Sequence, residues 1–133
     1  MKRIVERDNV IINHFNYNKI ATIEQIKAIV GSTSTMTIYR ALSRLNYLSS
    51  YSHRGKFYTL PEIPIFNQYG IWSYRSVMFS QRGNLLETAA YLVQESDEGF
   101  TASELESLLD VEVKHALLNL LKKNRILRAK VNG

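Results

Sequence analysis

One short pattern occurs twice in this chain and limits what it can fold into. Thr22 stands three residues before Gln25, and Thr101 three residues before Glu104. A threonine followed at that spacing by Gln or Glu is the signature of a capping box, which satisfies the free N–H groups at a helix start. Ile26, Ile29 and Val30 follow Thr22 at the offsets at which Leu105, Leu108 and Leu109 follow Thr101. That spacing places them on one helical face. Each half therefore reads as helix, capped helix, helix, strand, in an imperfect single duplication rather than a solenoid array.

The chain has 133 residues, the length of one average domain or two very small ones. Cysteine is absent, which excludes disulfides, thiolate-held metals and thiol nucleophiles. The absence suits a reducing compartment, and a cytoplasmic location is the expectation. His14, His53 and His115 show no metal-ligand spacing. Met1-Lys2-Arg3 is followed at once by Glu6, Arg7 and Asp8, so no signal-peptide core forms. No run approaches the ~18 apolar residues of a membrane span, and no membrane partner is expected. The chain has no phosphate-cradling glycine loop and no nucleophile–base motif. Neither catalysis nor a cofactor is expected, and Asp97, Glu98, Glu104 and Glu106 read as loop and helix-surface charges.

Charge divides the two halves. The whole chain carries a net +5. Residues 1–82 hold 11 basic and 4 acidic side chains, a net +7, whereas residues 83–133 hold 6 and 8, a net −2. If the partner is a polyanion, the first part is the one that meets it.

Val5, Ile11, Ile12 and Phe15 predict a helix over residues 4–15. Ile20 and Ala21 read as a short extended approach to the capped helix, and Gly31 suits that helix's left-handed end. Ser32, Thr33, Ser34 and Thr35 favour a turn and a cap, because their hydroxyls compete for backbone groups. A helix over residues 35–46 follows, with Ile38, Ala41, Leu42 and Leu45 on one side and Thr37, Arg40 and Arg44 on another. Residues 48–60 read as a β-hairpin turning at His53-Arg54-Gly55, and Pro61 and Pro64 then break regular structure.

The aromatic stretch holding Phe66, Tyr69, Trp72, Tyr74 and Phe79 is expected to be a connecting strand over residues 71–80, with Trp72 buried between the units. Stacking of these rings, with Arg75 and Arg82, on unpaired bases is the alternative. A turn over residues 81–84, helices over 85–94 and 111–123 and a strand over 126–131 complete the reading. The expected division is residues 1–62, a connecting segment 63–83, and a second, incomplete unit 84–133.

Three short helices followed by a hairpin form the winged-helix arrangement. Three segments carry it here: Thr22-Ile-Glu-Gln-Ile, Thr37-Ile-Tyr-Arg-Ala-Leu-Ser-Arg-Leu, and Ser50-Tyr-Ser-His-Arg-Gly-Lys-Phe-Tyr-Thr-Leu. In them the chain resembles bacterial winged helix-turn-helix DNA-binding proteins, over residues 4–60 well and 84–131 more loosely. The resemblance implies a mainly α fold with small β-hairpins (α+β) in a tandem winged-helix arrangement. It implies double-stranded DNA as partner and sequence-specific transcription regulation as function. It also implies that Ser34, Thr35, Thr37, Arg40 and Arg44 lie at or near the major groove, with Arg40 able to reach a guanine edge. Ser32 and Thr33 would meet phosphate near the helix N-terminus, and His53, Arg54 and Lys56 on the wing would touch backbone or minor groove.

The second unit departs from that pattern. Its last helix begins Val111-Glu112-Val113-Lys114, without hydroxyls or arginines. Its basic end, Lys122, Lys123, Arg125, Arg128 and Lys130, also suits a helix C-terminus. It reads as a packing or dimerisation module with secondary phosphate contacts, and a homodimer through it or through the aromatic segment is a further expectation. The sequence stops at Val131-Asn132-Gly133, where a wing turn would begin, so a longer chain or pairing of that strand elsewhere is expected. Two other functions stay open at this level: the DNA-reading portion of a transposase or recombinase, and a winged-helix scaffold for protein partners.

Overall fold

The computed structural model describes residues 2–31 and 34–132. Within them the chain forms six α-helices and three two-stranded pairings, two antiparallel and one parallel, an α+β fold. No helix among these residues is long and apolar enough to cross a membrane.

Helix α1 (Lys2–Asn18) outlasts its predicted end and stops where Lys19 turns left-handed at φ 76°. It buries Ile11 and Phe15, one turn apart. Helix α2 (Ile23–Val30) starts on the expected capping box: Thr22 Oγ1 accepts the Gln25 N–H at 3.3 Å and Gln25 Oε1 accepts the Thr22 N–H at 2.9 Å. It ends at Gly31, left-handed at φ 70°. Ile23 and Ile26 are buried, but Ile29 is exposed. Helix α3 (Thr35–Arg44) is capped by Ser34 and ends two residues earlier than predicted, because Asn46 goes left-handed. Ile11, Phe15, Ile26, Ile38, Ala41, Leu42, Tyr58 and Leu60 form the first cluster of buried side chains.

Strands β1 (Leu48–Ser49) and β2 (Tyr58–Thr59) pair antiparallel, so the predicted hairpin is present with shorter arms. Ala21 joins the far side of β2 through an antiparallel bridge to Tyr58.

The aromatic segment is not the single connecting strand that its composition suggested. It folds back on itself as β3 (Ile71–Tyr74) and β4 (Val77–Ser80), paired antiparallel from Ile71↔Ser80 to Tyr74↔Val77. Arg75 and Ser76 make the two-residue turn, both with positive φ (49° and 66°). A turn of that hand matches the strands' own twist, and it outweighs the poor fit of Arg and Ser to left-handed backbone. Trp72 is not buried between the units. It lies half-buried on the hairpin's own face, stacked on Tyr74 at 5.6 Å and against Phe79 at 5.4 Å.

The second half repeats the first. Helix α4 (Leu85–Glu95) is capped by Asn84. Strand β5 (Phe100–Thr101) leads into α5 (Ala102–Leu109), whose capping box is complete: Thr101 Oγ1 accepts the Glu104 N–H at 3.0 Å and Glu104 Oε1 accepts the Thr101 N–H at 2.8 Å. Asp110, left-handed at φ 58°, stands where Gly31 stands in the first half. Helix α6 is Lys114–Lys122, shorter at its start than predicted, and no side chain caps it.

The predicted strand over 126–131 is reduced to β6 (Val131–Asn132), after a single turn at Arg128–Lys130. It pairs parallel with β5. In the first half β2 stands between Ala21 and β1. No return arm lies between β5 and β6 among the described residues, so the strand after the third helix meets the approach strand directly. Ile71, Met78, Ala89, Val93, Leu105, Leu109, Leu117 and Leu120 form the second buried cluster, so the hairpin β3–β4 packs into the second half.

A short stretch in the loop of the first hairpin connects the clusters. The Tyr51 N–H donates to Met78 O at 2.9 Å, and the Met78 N–H donates to Ser52 Oγ at 2.8 Å. The Tyr51 hydroxyl donates to Leu109 O at 2.7 Å. Burial, with the Asp110 carboxylate adding to it, holds the Tyr51 phenol well above the ordinary tyrosine range. Ser52 is buried. Replacing it by alanine leaves the Met78 N–H unpaired, and we expect Ser52→Ala to lower unfolding free energy by about 1–3 kcal/mol in a urea titration. A loss below about 0.5 kcal/mol, the range of a neutral surface change, would show that the N–H finds another partner.

Candidate nucleic-acid interface

The outer side of α3 is a consequence of how its inner side packs. Ile38, Ala41 and Leu42 are fully buried. That leaves Thr35, Met36, Arg40 and Ser43 exposed, with Thr37 half-buried beside them. Met36, Arg40 and Ser43 share a helical face, and Met36 is 61% exposed. The sequence reading passed over Met36 and Ser43, although their spacing from Arg40 would have found them. The helix contains no Asp or Glu. Among the described residues Arg40 makes no ion pair.

The predicted residues divide into groups. Ser32 and Thr33 lie outside the described residues. Ser34 serves as the cap of α3: its Oγ accepts the Thr37 N–H at 3.2 Å. Thr35 opens the helix on the exposed side.

Arg44 does not join Arg40 on an open face. Its Nε and Nη2 donate to both Asp8 carboxylate oxygens, at 3.2 and 2.8 Å, so it ties α3 to α1. The paired carboxylate raises the arginine's already high pKa further. The expected Thr37–Arg40–Arg44 row is therefore cut short. Asp8 precedes Arg44 by 36 positions, a separation that helical periodicity cannot register.

The hairpin is held against α3 by tyrosines. Tyr39 and Tyr58 hydroxyls lie 2.9 Å apart, and the Tyr47 ring meets Tyr58 edge-on at 5.4 Å. Burial, then the hydroxyl contact with Tyr39, pushes the Tyr58 phenol far above its usual value. Beyond this anchor the loop is exposed at His53, Arg54 and Lys56. His53, Arg54 and Gly55 are consecutively left-handed, at φ 53°, 55° and 70°. The sequence suggested this conformation at Gly55 alone. Ser49 Oγ closes the loop by donating to Gly55 O at 3.0 Å. His53 is fixed at its base, with Nδ1 2.8 Å from Ser52 Oγ and its ring edge-on to Phe57 at 5.4 Å.

Other cations make contacts within the chain. Arg82 sits 3.6 Å from the Tyr91 ring centroid and Arg75 5.5 Å from that of Tyr74, each a cation–π contact. Arg125 makes a two-pronged pair with Glu87, at 2.7 and 2.8 Å, which lowers the Glu87 pKa. Lys130 Nζ donates to Ser96 O. Two of the five basic residues at the end of the second half thus close that half on itself. No group of three His, Asp or Glu side chains among the described residues is placed to hold a metal ion.

Removing the Asp8 carboxylate should release Arg44 at small structural cost. Arg44 is 40% exposed and Asp8 18%, so the pair is partly screened and we expect it to be worth about 1 kcal/mol. Asp8→Asn should therefore shift the urea midpoint only slightly, and the shift should shrink further in high salt. A loss well above that value, unchanged by salt, would mean that the contact is a structural anchor. Comparison of the chain with known family models, with curated proteins and with solved structures finds no match.

Proposed function

We propose that this chain binds double-stranded DNA through α3 and the loop after β1, as a tandem winged-helix protein resembling bacterial transcription regulators. The observation that carries the reading is the exposed face of α3: Arg40 beside Thr35, Met36 and Ser43, on a helix without a single carboxylate. Arginine can pair with guanine O6 and N7 in the major groove, hydroxyls can meet bases or phosphate, and an exposed apolar side chain suits the thymine methyl group. The loop carries Arg54 and Lys56 without ion-pair partners among the described residues. The net +7 of residues 1–82 supplies the long-range attraction.

In this reading α3 selects sequence and the loop supplies affinity. The second half, with its uncapped α6 and net −2, packs against the first and takes no part in base reading.

The test is fluorescence anisotropy of labelled duplexes against salt concentration, first with random and then with selected sequences. Wild-type binding should weaken linearly on a log–log plot. Arg40→Ala should cost about 1–3 kcal/mol on the selected site and flatten the preference at one position. Lys56→Ala should weaken all sequences alike and reduce the salt slope by about 1. Equal losses on every sequence for both variants would reject the division of roles. No binding at low salt would reject DNA as the partner.

A further inference from the structure

A groove of about 520 Å³ opens where the β3–β4 turn faces α1 and α2. This is within the size range of small-molecule sites, which run from about 300 to 1,000 Å³ and favour junctions between folding units. Phe57, Tyr74 and Val77 give it apolar walls, and His14, Gln25 and Arg75 are the polar groups the argument turns on.

The hydrogen bonds around the groove decide what those polar groups can offer. Gln25 Oε1 is taken by the Thr22 N–H, which leaves the amide's N–H donors. Asn18 Nδ2 donates to His14 O at 3.1 Å and lies 3.2 Å from His14 Nδ1, so Nδ1 is the acceptor and the neutral ring carries its proton on Nε2. Burial lowers the His14 pKa and so disfavours the charged ring. Arg75, whose guanidinium is held by the Tyr74 ring, is then the one charged group in the lining. No carboxylate lines the groove. The site thus presents donors, a single positive charge and aromatic walls. Behind Tyr74, Trp72 stacks at 5.6 Å with ring planes 24° apart, bracing that wall.

We propose that this groove binds a small planar aromatic monocarboxylate, with the ring against Phe57 and Tyr74 and the carboxylate on Arg75. A guanidinium matches a carboxylate in two parallel bonds, which a neutral amide cannot reproduce. The proposal stands apart from the DNA reading, and neither depends on the other.

Isothermal titration of the full chain with 2-naphthoate, and with 2-naphthamide as its neutral counterpart, tests it. Naphthoate should bind with a Kd below about 1 mM, and naphthamide at least about tenfold more weakly. Arg75→Asn removes the guanidinium while supplying a residue that tolerates the left-handed turn, and should weaken naphthoate at least about tenfold. Ala28 also lines the groove and is exposed on α2. Ala28→Tyr places a ring in the groove while leaving Arg75 in place, and should abolish binding. The proposal is overturned if wild type gives no heat with naphthoate, if acid and amide bind alike, or if either folded variant binds as wild type does.

Discussion

Two small cores share one hinge of hydrogen bonds, and the rest of the structure depends on it. Neither half is large: a unit of about 60 residues buries too little surface to be more than marginally stable alone. Tyr51 and Ser52, in the loop of the first hairpin, exchange bonds with Met78 on the second, while the Tyr51 hydroxyl reaches Leu109 at the end of α5. Met78 and Leu109 are themselves buried members of the second core. The same stretch continues into His53 and Arg54, so the exposed cationic loop grows directly from the contact between cores. It also sets the β3–β4 turn beside α1 and α2, which is what creates the groove between His14 and Arg75.

The duplication keeps a backbone device and changes its chemical load. Both halves use Thr with Gln or Glu to start the middle helix, and both end it with a left-handed residue at the same offset, Gly31 in one and Asp110 in the other. Both pair the residues just before that helix with a strand that follows the third helix. The third helices then diverge. Ser34 caps α3, which exposes Arg40 beside Met36 and Ser43, whereas α6 has no side-chain cap and exposes Lys114, His115 and Asn119; neither helix carries a carboxylate. A common architecture thus carries two differently furnished exposed faces, which is why the function must be argued from the faces and not from the fold.

What the sequence revealed was local. The capping boxes, the left-handed Gly31 and the turn at residues 81–84 each rest on contacts within a few positions, and each is present; the extended Ala21 approach is present too, but the distant Tyr58 holds it. The failures were of two kinds. The β3–β4 turn uses Arg75 and Ser76 in place of the Asn or Gly that marks such turns, so an unfavourable local choice is overruled by packing of Ile71 and Met78 in the second core. Arg44 and Trp72 were misplaced because their partners are settled in three dimensions. Asp8 captures the first across the α1–α3 contact, and Tyr74 and Phe79 gather the second onto its own hairpin. The exposed Met36 and Ser43 follow from their spacing to Arg40 alone.

The capture of Arg44 has a consequence for how strongly the proposed interface can act. With Arg44 held by Asp8, the cations at α3 and the loop that lack an ion pair among the described residues reduce to Arg40, Arg54 and Lys56. Arg40 is assigned to a base edge, so the phosphate contacts fall to the two loop cations; at about 0.9 counterions released per phosphate contact they correspond to a salt slope of about −2. Repressors that hold DNA tightly reach slopes near about −10. Under the proposed reading a single copy therefore associates weakly, and Arg40 is asked for selectivity more than for affinity. Strong occupancy of a site then requires either several copies acting together or cations from elsewhere in the assembly. The second half, whose own basic end is partly spent on Glu87 and Ser96, is poorly placed to supply them.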